Sequence, residues 1–205
     1  AQHMVEATKN AVRAGDDTDT VAAIAGGLLG ALWGQSAVPL DWTRRIHGYG
    51  GHRASGLVSL AHRTALQGRV RADQWPLAPR MTDPFYVDAA PVSAVHPHDD
   101  GVVLGTYATV DHGCDAVVSL CRIGTDDLAP PGVRRQDHVV VRLVDREDAH
   151  ENPHLDFVVS EAARAVRMLR DEGRRVFVHC VAAQARTPAI GIAYSLLRGV
   201  PVDEA

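Results

Sequence analysis

The stretch "VFVHCVAAQARTPAIG", Val176 to Gly191, decides the fold. Its first residues are β-branched or aromatic and read as a strand, while small apolar residues from Arg186 onward read as a helix. A strand that runs through a short loop straight into a helix is the building unit of α/β folds. The loop "CVAAQAR" aims backbone N–H groups and a helix N-terminus at one point, which suits a dianionic phosphate or a thiolate. Cys180 is the candidate nucleophile, since the thiolate is the reactive form of cysteine. Arg186 adds a planar fork able to hold two phosphate oxygens. Thr187 brings a hydroxyl beside the sulfur, suited to stabilising the thiolate as it leaves phosphorus, and His179, on the strand, is placed to steady the loop through the backbone. The competing reading is an inert buried cysteine. A Cys-to-Arg spacing alone is weak, and the flanking strand, His179, Thr187 and small-residue helix give it weight.

Upstream of this stretch, "NPHLDFVVSEAARAVRMLRDEG" reads as a long helix with Asn152 as N-cap, Pro153 in its first turn and Gly173 just past its end. Leu155, Val158, Val159, Ala162, Val166 and Leu169 form one apolar stripe. "FYVDAAPV", "GVVLGTY", "DAVVSLC", "HVVVRLVD" and "RRVFVHC" read as strands bounded by Gly, Pro or Asp. Residues 85–205 are therefore expected to form an α/β domain with a mostly parallel central sheet flanked by helices. Residues 71–84 hold three prolines without a period and read as a linker. Residues 1–70 read as a small all-α segment, in which Ala22, Ala25, Gly26 and Gly30 predict close packing against another helix.

The chain has 205 residues, a net charge of −4 and three cysteines. Its single lysine, Lys9, stands against twenty scattered arginines, so no basic stripe marks a nucleic-acid or membrane surface. The cysteines follow no paired framework, no signal segment opens the chain, and no apolar run reaches the length of a membrane span, so a cytoplasmic protein is expected. Oligomeric state is not readable. Both ends read as cut.

"VHCVAAQART" resembles the signature of the cysteine-dependent phosphatases, and the layout from about Phe85 onward resembles their dual-specificity branch. The family pattern is His-Cys, five residues, Arg, then Ser or Thr, usually with glycine where Ala183 stands, at a position needing positive φ. The resemblance implies that Cys180 attacks phosphorus while Arg186 and the N–H groups of Val181, Ala182, Ala183, Gln184 and Ala185 hold the phosphate. It also implies a general acid on the loop before the long helix. "VVVRLVDREDAHENP" offers Asp145 and Asp148, and Asp145, directly after the strand, is preferred. No cofactor is implied, and the substrate would be a phosphorylated protein or a small phosphomonoester.

"GDDTDT", Gly15 to Thr20, places Asp17, Asp19 and Thr20 at a helix entrance, where oxygen ligands suit a hard cation and carboxylates equally suit an N-cap. With "VAAIAGGLLGALWG" behind it, this segment resembles the C-terminal metal-binding motif of the ADP-ribosylglycohydrolase family, over about the first 70 residues. The resemblance implies Mg²⁺ or Mn²⁺ on Asp17, Asp19 and Thr20, with glycine usual where Asp16 stands. The family's N-terminal acidic ligands have no counterpart in the 16 residues before Asp17, so the site is incomplete and no hydrolase activity is expected from it. Rival functions are that metal-dependent hydrolase, a phosphate-binding module without turnover, and sulfur transfer on Cys180. Weaker signals are His96, His98, Asp99, Asp100, His112 and Cys114 as zinc ligands and a Cys121–Cys180 disulfide; solvated turns and a buried thiol are the commoner fates.

Overall fold

The computed structural model describes residues 3–110, 112–128, 130–146, 148 and 150–205. Helix α1 (Met4–Arg13) begins where the His3 ring accepts a hydrogen bond from the Val5 amide, and α2 (Thr18–Trp33) begins at Asp17, whose carboxylate accepts from Thr20 N. The two helices pack on each other. The expected close packing of small residues on α2 is not met among the described residues: a side chain at Gly26, Gly27 or Gly30 would find open space, and Ile24, Leu28 and Leu32 are exposed. Two further helices, α3 (Leu40–Arg45) and α4 (Ala54–Ala65), complete the helical segment. It leans on the rest of the chain through Leu40 N, which donates to Glu161 Oε2 at 3.1 Å, and through Arg44, which forks onto Glu172.

Residues 71–84, expected as a linker, lie as a strap against the loop that follows the third strand. The amides of Thr125 and Asp126 donate to Ala78 O and Pro79 O, and Gly124 leaves no room for a side chain against Pro79 and Arg80. The strand expected in "FYVDAAPV" is instead a helical turn, α5 (Pro84–Val87), because Asp83 accepts from Phe85 N at 3.0 Å and Pro84 pre-sets the first helical φ. The strand falls later, as β1 (Ser93–His96).

Strands β2 (Asp99–Thr106), β3 (Ala116–Ser119), β4 (His138–Val140) and β5 (Val176–Cys180) join β1 in one sheet of order β1-β2-β5-β3-β4. Only β1 is antiparallel; every other pairing is parallel. Parallel strands covered on both faces are apolar throughout, and all five residues of β5 are buried. Helices α6 (Leu155–Asp171) and α7 (Arg186–Leu197) cover one face of the sheet. Val158, Ala162, Val166 and Leu169 of the predicted stripe pack there with Val118, Val176 and Val178. The mostly parallel sheet flanked by helices thus agrees with the α/β reading. The cap of α6 does not: its N-cap is His154 without a side-chain bond, and Asn152 is engaged elsewhere. Among the described residues, no helix is long and apolar enough to cross a membrane.

Candidate functional site

Cys180 ends the central strand β5 and is 2% exposed. Its carbonyl and that of Val181 accept from Tyr107 N at 2.7 and 3.3 Å, which pins the start of the loop to the end of β2. The chain then turns through Val181–Ala185 into α7, whose N-cap Ala185 supplies no side-chain bond. None of the amides from Val181 to Ala185 donates a backbone hydrogen bond to another described residue. Their N–H groups and the positive end of α7 are therefore left for an anion.

Arg186 is fixed over this loop by the ends of two neighbouring strands. Its Nη1 donates to Leu143 O at 3.0 Å and Leu120 O at 3.3 Å, and its Nη2 to Asp145 Oδ2 at 3.1 Å. Nε is buried and has no partner. A buried guanidinium donor without an acceptor is costly, and an anionic ligand in the loop would satisfy it. Ala183 has φ +54°, as the sequence pattern required of that position. An L-residue there costs about 1–2 kcal/mol relative to the right-handed region, a cost glycine avoids.

Behind the loop lies a relay that the sequence did not disclose. Ser119 Oγ sits 2.7 Å from His179 Nε2 and 2.8 Å from His138 Nε2, and His179 Nδ1 is 3.4 Å from Cys180 O. Burial pushes His179 down to about 3 and His138 down to about 4, so both rings are neutral near pH 7. His179 also stacks on Phe177 at 5.3 Å. Its Nδ1 contact with Cys180 O is the backbone link to the loop that the sequence led us to expect of it. Thr187, 1% exposed, directs its hydroxyl to Gly105 O at 3.4 Å. Cys121 packs beside Val181 with its thiol pushed up to about 12, mainly by burial, and all three cysteines are free.

The two acid candidates have different surroundings. Asp145 is exposed and reaches Arg186, whereas Asp148 folds back on its own turn, its Oδ1 accepting from His150 N at 2.8 Å. Asn152, expected as a helix cap, clips this loop. Its Oδ1 accepts from Val144 N at 3.1 Å, and its Nδ2 donates to Val144 O at 3.1 Å and Arg146 O at 2.6 Å. An asparagine six or eight residues past the atoms it holds gives no local signal, which is why the sequence alone misplaces it.

In the helical segment, Asp17, Asp19 and Thr20 stand together at the entrance of α2, exposed to solvent. Hydrogen bonding to Asp19 and Thr20 lowers the Asp17 carboxyl below its ordinary range. Two carboxylates and a hydroxyl are the donor chemistry Mg²⁺ and Mn²⁺ prefer, but a divalent site takes about six oxygens. Among the described residues no group of three or more His, Cys, Asp or Glu comes together to hold a metal. The three residues thus fit part of such a site and do not complete one. The zinc reading of the His96 region also finds no such group: His96 bonds Gly191 O and Ser195, while Asp99 holds Arg170 and Tyr194.

Together these features define an α/β protein with an anion-ready strand-to-helix loop at the carboxyl ends of its parallel strands, and an all-helical segment beside it. Residues 1–74 match the family model of ADP-ribosylglycohydrolase. No curated protein and no solved structure matches the chain.

Proposed function

We propose that the α/β part of this chain is a cysteine-dependent phosphatase that hydrolyses phosphomonoesters, phosphorylated protein foremost. The observation that carries the reading is the run after Cys180 of five amides that donate to no backbone group among the described residues, together with the buried, unpartnered Nε of Arg186. In this mechanism the Cys180 thiolate forms a bond to phosphorus as the bond from phosphorus to the leaving oxygen breaks. The amides of Val181, Ala182, Ala183, Gln184 and Ala185, with Arg186, bear the charge on the equatorial oxygens. Asp145 gives its proton to the leaving oxygen, which departs as the alcohol; Asp145 then takes a proton from a water molecule as that water's oxygen bonds to phosphorus and the bond from phosphorus to Cys180 sulfur breaks, releasing the thiolate. The Arg186–Asp145 pair is a resting arrangement, and phosphate taking the Arg186 fork frees Asp145 for the leaving group.

The test is p-nitrophenyl phosphate hydrolysis against pH with EDTA present, for the wild type, Cys180→Ser, Asp145→Asn and Asp148→Asn. Expected are turnover that survives EDTA, a loss of about 10³-fold or more in Cys180→Ser, and loss of the basic limb in Asp145→Asn only. Turnover that persists in Cys180→Ser sinks the mechanism. A second reading, metal-dependent ADP-ribosyl hydrolysis, is favoured by the family match over residues 1–74. It requires Mg²⁺- or Mn²⁺-dependent release of ADP-ribose that Asp17→Ala abolishes.

A further inference from the structure

Away from the cysteine loop, a cavity of ≈ 80 Å³ opens where α3 and the start of α4 meet β4. Its wall carries Arg44, Arg53, Arg135 and Arg142, with Thr43 and Ser55, and holds no Asp or Glu. Arg44 is already neutralised, its Nη1 lying 2.6 Å from Glu172 and its Nη2 3.3 Å from Asp137. The other three arginines form no ion pair among the described residues.

Arg142 is the most telling of them. Its Nε is buried without a hydrogen-bond partner, and the Trp75 ring, 5.8 Å away, gives it only a weak cation–π contact. Burial alone pushes its pKa below the ordinary value, with no carboxylate opposing the shift. A guanidinium whose Nε is buried with no partner and no counter-charge carries a desolvation cost, and an anion in the cavity would offset it. The twelve-residue α4 opens onto the same space: Ala54 and Ser55 of its first turn line the cavity, and its N-cap Arg53 contributes no side-chain bond. The positive end of the helix thus adds to three uncompensated cations.

We propose that this cavity is a second anion site, which takes one phosphate-sized dianion between Arg53, Arg135, Arg142 and the first turn of α4. Its volume fits a single tetrahedral anion rather than a whole nucleotide. The ligand is therefore a phosphate group, either free or carried on a phosphorylated chain. Arg142 directly precedes Leu143, whose carbonyl holds Arg186, so the site joins the helical segment to the strand that positions the cysteine loop. It does not depend on the function proposed for Cys180.

The experiment is calorimetric titration of the full chain with inorganic phosphate and, separately, with a phosphoserine peptide and its unphosphorylated form. Arg186→Ala removes the cysteine-loop site, and one phosphate should still bind. Adding Arg53→Ala and Arg135→Ala, both exposed side chains, should weaken that binding at least tenfold while the melting temperature holds. Tighter binding of the phosphopeptide than of phosphate assigns the ligand to a phosphorylated chain, and equal binding assigns it to the free anion. No phosphate bound by Arg186→Ala, or unchanged affinity after the two arginine substitutions, overturns the proposal. Turnover of p-nitrophenyl phosphate by Arg53→Ala/Arg135→Ala reports the cysteine loop separately, so failure of one reading leaves the other standing.

Discussion

Ala183 and Asp16 share a backbone conformation and differ in everything around it. Their φ values are +54° and +55°, and each stands where the pattern its segment resembles has glycine. Ala183 lies in a loop held by its neighbours in space: Tyr107 fixes the loop's first carbonyls, Ser119 and His179 brace it from behind, and Leu120 and Leu143 anchor Arg186. Asp16 lies in an exposed turn whose support is local, with Thr18 N donating to its carbonyl and the Asp17 cap following directly. Aspartate tolerates the left-handed region because its short polar side chain bonds locally, whereas alanine has no such compensation. The difference is between a strained position braced by residues distant in sequence and one supported, among the described residues, only by its immediate neighbours.

The largest effect that tests this contrast concerns acid stability on the cysteine-loop side. His179 and His138 have folded pKa values depressed from 6.5 to about 3 and about 4, so the fold holds them neutral. The unfolded chain protonates them below about 6.5, so their contribution is complete above that pH and is lost as pH falls towards 4. At about 1.4 kcal/mol per unit, stability should drop by several kcal/mol between pH 7.5 and 4.5. Urea midpoints at those pH values measure it, and His179→Gln should flatten the slope; an unchanged slope would mean the two rings are not held neutral.

Next in size is Asn152→Ala. Removing three hydrogen bonds and leaving the Val144 amide unpaired should cost about 2 kcal/mol. If Asn152 positions the Asp145 loop, kcat for p-nitrophenyl phosphate should fall while KM stays nearly constant. A stability loss with kcat unchanged would reduce Asn152 to a structural clip.

Smaller still is the direct comparison of the two strained positions. Ala183→Gly should stabilise the protein by about 1 kcal/mol, and Asp16→Gly by no more than a few tenths, in parallel thermal melts. Equal shifts would erase the distinction between them. The smallest effect is expected from Asp17→Ala, which removes the cap of α2 and should lower helical circular dichroism slightly without touching p-nitrophenyl phosphate turnover. A fall in turnover would tie the two regions together functionally.

Much of the architecture was legible because it is written in local patterns. Short β-branched runs bounded by Gly, Asp or Arg placed β2, β3 and β5, a 3.6-residue stripe placed α6, and Gly173, at φ +77°, marked its end. The failures are equally specific. "FYVDAAPV" is β-rich in composition, yet Asp83 and Pro84 start a helical turn there, so a capping bond outweighed propensity. Asn152 had the right type and place for a cap, and a longer-range bond to Val144 won.

By itself the sequence determined the strand-to-helix loop after Cys180 and the oxygen-rich entrance of α2, because each is set by residues within a few positions of one another. Only the tertiary structure decided what meets them. It brought Leu120, Leu143 and Asp145 to Arg186 across 66, 43 and 41 positions, Ser119 to His179 across 60, and three uncompensated arginines to one cavity. Local periodicity reports which face of an element is buried. Which distant polar atoms share that burial depends on strand order and register, and these follow from how the whole chain packs.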